Sequence, residues 1–417
     1  GDIVSTHSIG STCIVLFAAA QALAGDPSGG CCSCEGCEIL TLVECETIQG
    51  SYVGDGAPCP SECLDIVDIP DDNLRAVILD ELDDCALTPF NMARLTEITD
   101  PHPLPPERIE DLTGLEYAIN ITELDLRAHR ASDLTPISGL TQLVDIDVYV
   151  NGVTDITSLT ELVNLVHLDL GNNDITDITP LAGMTELEWL SLIWNEVTDL
   201  SPLAGLTNLT VLNVRQNVFT DISPLANLTN LEFLNLTGNP IESIDIIPGF
   251  TQLTHLDLGL CGVDDISLLS TMTNLDTLNI YSNGISDLSP LSGLTGITEL
   301  NIWNNQISDL SPLSEMNGMT QLSFTRNQIS DLTPLAGMHG LRSVFANENL
   351  VSDASVLAGH TEMVLLWLCD NELESLDFVA NMHELAFLCA SNNHISDLSA
   401  LDDLNELSFV ELAHNDI

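Results

Sequence analysis

Lysine is absent from this sequence. Its only basic side chains are eight arginines, set against 63 aspartates and glutamates for a formal charge of -55. That balance excludes nucleic acid as a partner, because a polyanion is held by a neutralising basic surface. An anionic membrane surface is disfavoured for the same reason, and self-repulsion makes a saline medium or bound cations favourable to the fold. Also missing are a glycine-rich phosphate loop, a nucleophile elbow and a His-Glu-x-x-His metal motif, so no residue is assigned a catalytic role. No apolar run is suited to span a membrane: the stretch "CIVLFAAAQALAGD" at 13–26 is too short and wrongly flanked.

That short run ends in Ala22-Leu23-Ala24 before Gly25, which has the form of a signal-peptide core with its small-residue cleavage site. Segment 1–24 is therefore read as an export signal, clipped at its start because residue 1 is Gly and a basic beginning is lacking. Cysteine use agrees. Cys31, Cys32, Cys34, Cys37, Cys45, Cys59 and Cys63 crowd together, and cysteine is scarce afterwards. We read 25–63 as a disulfide-stapled module of an oxidising compartment, ahead of a zinc site, because the segment has no histidine. Cys85 is available as an eighth partner.

The remainder repeats every 22 residues. Asn holds one position in that period from Asn151 to Asn415, with His129 and Cys261 in the two other places. Apolar residues fall eight, five and three places before it, as in Leu187, Leu190 and Leu192 ahead of Asn195. The alternating pair marks a short strand with one face inward. Four places after the Asn comes Asp in most repeats, as in Asp199, and six places after it comes Ser, Thr or Asp, often followed by Pro, as in Ser201-Pro202. We read the sixth position as an N-cap and Pro as the first helical residue. The Asn amide is expected to satisfy backbone groups of its own and neighbouring turns, and Cys261 to be a structural stand-in for it. Each unit is then a strand, a turn and a short helical segment, stacked in parallel at ~4.8 Å.

The run "LTNLTVLNVRQNVFTDISPLANLTNLEFLNLTGN" resembles the 22-residue leucine-rich repeats of internalin-like bacterial surface proteins, and the likeness covers 111–417. It implies an α/β repeat solenoid: a curved array with a parallel concave sheet and short convex 3-10 or helical segments. Segment 64–110 looks like the helical cap of such arrays, with Asp71 or Asp72 and Thr88-Pro89 as helix starts, then an irregular first coil loosened by the Pro-rich "TDPHPLPPERIEDL". The Cys-rich segment is similar to modules of exported bacterial proteins. The chain stops in mid-repeat at "AHNDI", which is read as a truncated C-terminus.

With aromatic residues at only 4%, their placement is informative. Tyr149, Trp189, Trp194, Phe233, Tyr281, Trp303, Phe345, Trp367, Phe387 and Phe409 fall on outward strand positions, with Ile193, Arg215 and Arg326 among them. Aromatics and Arg dominate protein-binding hot spots, although cross-strand aromatics also stiffen a sheet. The resemblance likewise implies a secreted or cell-surface bacterial protein that takes a protein ligand on this face. The alternatives are a carbohydrate-binding adhesin acting through the tryptophans, or a spacer presenting a further domain.

Glu123, Asp125, Asp145, Asp147 and Asp169 form an acidic patch on the same face beside Arg127. It could hold Ca²⁺ or receive a basic partner, although a solvated strand face is the plainer reading, and no other cofactor is expected. His167 and His255 lie too many repeats apart to share a metal. Cys369 and Cys389 are on adjacent coils but offset by two positions, so a disulfide between them is expected to require backbone movement.

Overall fold

The structure, a computed structural model, describes residues 28–33, 36–41, 51–55, 66–82, 87–99 and 108–417. The export-like segment, the disulfide pairing of the Cys-rich module and the Pro-rich stretch 100–107 lie outside the described residues. Two compact units are present. In the first, β1 (Ser28–Ser33) pairs antiparallel with both β2 (Gly36–Thr41) and β3 (Ser51–Asp55), in the order β2-β1-β3.

The second unit opens with α1 (Asp72–Glu81), which buries Leu74 and Ile78 from one face. Asp71 is its N-cap, accepting from the backbone N–H of Asn73 at 2.9 Å and Leu74 at 3.0 Å. The other Asp71 oxygen accepts from the N–H of Glu110 at 2.7 Å and ties the helix to the first coil. Burial alone would raise this carboxyl, but four backbone donors hold it below its ordinary value.

Fifteen parallel strands of three residues follow in sequence order, from Glu97–Thr99 to Phe409–Glu411. The sheet thus begins inside the segment read as the cap. Glu97 pairs with Glu123, 26 positions on, whereas later partners such as Trp189 and Val211 are 22 apart. The Pro-rich insertion accounts for that difference. Residues of one column therefore stand side by side along the whole sheet.

Each coil is held by its leucines. In the coil of Asn195, Leu187, Leu190, Leu192, Val197, Leu200, Leu203 and Leu206 are all at most 1% exposed. Burial is worth roughly 1.5–3 kcal/mol for each such side chain. The Asn column closes the backbone account. Asn195 Nδ2 donates to the carbonyls of Leu170 at 2.9 Å and Leu192 at 3.1 Å, while its Oδ1 accepts from Ile175 N–H at 3.0 Å. His129 Nδ1 accepts in the same way from Ile109 N–H.

The capping differs from the sequence reading. The 3-10 segment Ser201–Gly205 makes no side-chain cap bond from the residue before it, and Ser201 is already its first residue. The oxygen comes from two residues earlier: Asp199 Oδ1 accepts Ser201 N–H at 2.8 Å. A carboxylate at that place closes an Asx turn, and the segment starts inside it. Where the column holds Ser243 or Ser375, its hydroxyl accepts from the N–H of Asp245 or Asp377 instead.

Cys261 donates to the carbonyls of Leu236 at 3.2 Å and Gly259 at 3.4 Å, reproducing the donor half of the Asn role. Burial pushes its thiol up to about 11, so it is an inert thiol. It offers no Oδ1, and Ile241 N–H turns instead to the carbonyls of Asn239 and Cys261. Cys261→Asn is therefore expected to stabilise the chain by about 1 kcal/mol, seen as a higher urea midpoint at unchanged slope. An unchanged midpoint would show that the Ile241 amide loses nothing at present.

Candidate sheet-face binding site

Each strand except the last, Phe409–Glu411, buries its central residue and turns its first and third to the sheet face, as in Trp189, Leu190 and Ser191. Because the register is straight, rings on neighbouring coils meet. His167 stacks on Trp189 at 4.1 Å between centroids. Phe233 meets His255 at 6.0 Å, Tyr281 meets Trp303 at 5.7 Å, Phe345 meets Trp367 edge-on at 5.5 Å, and Phe387 meets Phe409 at 6.4 Å. These separations are those of favourable aromatic pairs. His167 and His255 enter the site as ring partners, a role not read from the sequence; their shared column with Trp189 and Phe233 was the available signal.

The expected residues divide into two groups. Trp189, Phe233, Phe345, Trp367, Phe387 and Phe409 stand on the three-residue strands. Tyr149, Ile193, Trp194, Arg215, Tyr281, Trp303 and Arg326 lie beyond the strand ends, in the turn that leads to the Asn. Trp194 and Arg326 have left-handed backbone, φ 55° and 56°. The strand is shorter than the alternating pattern implied, because the chain must bend at once to seat the Asn amide.

Neighbouring glycines set how flat the turn residues lie. A Cβ on Gly171 would come within 2.5 Å of Ile193 and 2.8 Å of Tyr149, and one on Gly259 within 2.5 Å of the Tyr281 ring. Ile193 and Tyr281 therefore lie across the preceding coil and Tyr149 across the following one, all half-buried, whereas Trp194 is 51% exposed. Arg326 is engaged by Glu348 of the next coil at 2.8 Å. Arg215 keeps a buried Nε without a hydrogen-bond partner.

The acidic patch is partly matched from within, at Asp125, Asp145 and Asp147. Arg127 Nη2 reaches Asp125 at 2.8 Å and Asp147 at 3.1 Å, and His167 Nδ1 lies 2.9 Å from Asp145. Burial, with repulsion from Asp169 and Asp125, lifts the Asp147 carboxyl to about 6 against the pull of Tyr149 N–H and Arg127. Burial likewise raises Asp169 and Asp257. Farther on the column turns to amides: Asn235 Nδ2 donates to Asp257 at 2.7 Å, and Asn279 donates to the other oxygen.

Cys369 and Cys389 form a disulfide with Cα atoms 5.4 Å apart, contrary to the expectation from their offset. Bonds in a parallel ladder slant, and Leu368 N–H reaches the Cys389 carbonyl at 2.7 Å. Cys369 lies in the turn past the strand end at Trp367, and its Sγ also accepts from the N–H of Ser391 on the next coil at 3.0 Å.

Short parallel strands, 3-10 turns and a polar ladder define a leucine-rich-repeat solenoid, a fold that binds proteins. The family described as Leucine Rich Repeat matches residues 164–184, and its two-copy form matches 185–227, 207–249, 251–293, 273–315 and 295–337. No curated protein matches the chain in sequence. An internalin (InlF) of Listeria monocytogenes is 31% identical over 83% of this chain and 96% of its own, with a TM-score of 0.70. The chain belongs to the internalin-like family of bacterial leucine-rich-repeat proteins. The fold extends to InlJ of the same organism, whose functional domain includes a cysteine ladder (23% identity, 81% of this chain and 78% of that one, TM-score 0.63). It extends also to a leucine-rich-repeat protein of Leptospira interrogans (22% identity, 79% and 92%, TM-score 0.66). Among the described residues no helix is long and apolar enough to cross a membrane.

Proposed function

We propose that the chain is an exported, non-enzymatic binding protein, secreted or held at the bacterial surface, that takes a protein ligand on its concave sheet face. The observation that carries this reading is the series of ring pairs along that face, from His167 and Trp189 to Phe387 and Phe409. Paired rings are rigid and amphipathic, so a partner can cover them with little loss of side-chain entropy. The ring contacts also stiffen the sheet, and a stiff face is the better platform. In this reading the acidic patch receives basic groups of the ligand and needs no metal, since Arg127 and His167 already meet its carboxylates. The segment 25–63 is proposed as a disulfide module ahead of the cap.

A glycan is the competing ligand, favoured by the amides of Asn279 and Asn301 beside Tyr281 and Trp303. The test is cross-linked capture from a panel of cell-surface and extracellular proteins alongside a glycan array, with the full chain and with Trp303→Ala and Trp367→Ala, each with and without millimolar Ca²⁺. We expect a saturable protein ligand whose affinity falls about 30-fold or more in either variant, with Ca²⁺ making no difference. Array binding lost in Trp303→Ala, without any protein ligand, would assign the face to sugar. Equal capture by both variants would make the solenoid a spacer.

A further inference from the structure

One edge of the solenoid departs from its own pattern. The residues just before and just after each ladder Asn lie on the turn that follows the strand. In seven of the fourteen coils both are polar or glycine, as in Asn172, Ser282 and Asn304 before it and Asp174 and Gln306 after it, and Ala128, Val150 and Leu350 depart from that singly elsewhere. On four successive coils they are instead Trp194, Val218, Pro240 and Leu260. Trp194 is 51% exposed, Val218 52% and Leu260 49%, and Pro240 is exposed beside them. Trp194 and Leu260 each hold φ 55°. Left-handed backbone costs a bulky side chain about 1–2 kcal/mol, so neither residue is placed there for the stability of the coil.

The core is slightly less covered at the same place. Two residues after the ladder position, Ile175, Val197, Phe219, Ile285 and Ile307 are at most 1% exposed, while Ile241 and Val263 are each 8% exposed. The cause is local. Cys261 supplies no acceptor for Ile241 N–H, and Pro240 has no N–H to bond to the preceding coil. A surface depression of about 480 Å³ results, lined by Pro240, Ile241, Leu260 and Gly262 among others. A second of about 210 Å³ adjoins it, sharing Ile241 and Gly262, and is lined by Glu242, Asp245, Asp264 and Asp265. No arginine lines either.

We propose that this edge is a second docking surface, separate from the sheet face, for a basic protein segment. It seats an apolar side chain between Pro240 and Leu260 and sets flanking Lys or Arg residues against Glu242, Asp245, Asp264 and Asp265. Charge complementarity selects that occupant: four carboxylates without a counter-cation repel an acidic partner and attract a cationic one. A second copy of this chain is the poorer fit, since its charge is -55 and it contains no lysine. The apolar anchor supplies the desolvated contact that surface charges alone lack.

The test uses the full chain and synthetic decapeptides carrying a single Leu or Trp flanked by Arg pairs. Control peptides replace the Leu or Trp by Ser, or every Arg by Glu. Fluorescence anisotropy is expected to show binding of the basic apolar peptides alone, weakening as salt is added. Leu260→Asn, a residue at ease in left-handed backbone, is expected to lower affinity about tenfold or more. The pair Glu242→Gln with Asp264→Asn is expected to do the same at low salt, while Trp303→Ala changes nothing. Undiminished binding by Leu260→Asn, loss in Trp303→Ala, or no binding by the basic apolar peptides would overturn the proposal. So would a self-association abolished by Leu260→Asn, which would give the edge to a second copy.

Discussion

Asn239→Ala is expected to cost the solenoid about 2–4 kcal/mol. Asn239 is fully buried; its Oδ1 accepts from Asn217 N–H at 3.1 Å, and its Nδ2 donates to the carbonyls of Val214 at 3.0 Å and Leu236 at 2.8 Å. Truncation leaves the Asn217 N–H without its acceptor and too far from water to recover, and leaves the Val214 and Leu236 carbonyls with only Asn217 Nδ2 and the weakly donating Cys261 thiol. Two neighbours make the site sensitive. Asn217 makes the same bonds one coil earlier, and Cys261 one coil later already lacks an acceptor. In a stacked array each coil is stabilised mainly by its neighbours, so weakening one junction also divides the cooperative unit. A urea titration followed by circular dichroism should show a lower midpoint and a shallower or biphasic transition. A loss below about 0.5 kcal/mol, within the range of ordinary surface substitutions, would show that the ladder is not a principal support.

The second large effect concerns acidity. Asp147 holds its proton up to about 6 in the folded chain and releases it near its ordinary 3.8 when unfolded, a difference worth about 3 kcal/mol. The sign follows from proton counting. Between those two values the folded state binds more protons, so stability falls as pH rises from about 4 to about 6 and stays lower above that. Asp169 and Asp257, also raised by burial, add in the same direction. The turn carboxylates act oppositely. Backbone and side-chain hydrogen bonds from Ser201 and Ser223 hold Asp199 and Asp221 below their ordinary value, so the stability they lend is lost as pH falls below about 4. The unfolding midpoint is therefore expected to be highest near pH 4. Asp147→Asn should raise stability at pH 7.5 by about 2 kcal/mol more than at pH 4.5. Equal effects at the two values would mean that Arg127 keeps Asp147 ionised throughout.

Most of the coil was legible because the period repeats without interruption from Asn151 onward. Three leucine places and one Asn place admit few arrangements, and stacking them in parallel is the one that buries those leucines in every coil but the last. The capping was legible only in part. Ser201-Pro202 marked the start of the 3-10 segment, but whether the bonding oxygen belonged to Ser201 or Asp199 depended on backbone direction. The cysteine pair was misjudged for a related reason: counting positions extends the strand through Cys369, whereas the strand ends at Trp367 and Cys369 lies in the turn, with its Sγ beside the next coil. Trp194 was assigned to a strand that ends three residues earlier at Ser191.

What the sequence by itself determined was the repeat, its inward leucines and ladder amides, the strongly acidic charge balance and the columns on which aromatic residues recur. Each of these is a periodic or compositional property, set before any coil touches another. Tertiary structure alone decided which rings meet, that Arg127 sits between Asp125 and Asp147, that Cys369 reaches Cys389, and that Leu260 and Trp194 stand exposed on one edge. Those outcomes depend on how residues 22 apart face one another and how sharply the chain turns after each strand, distances that exist only once the coils are stacked.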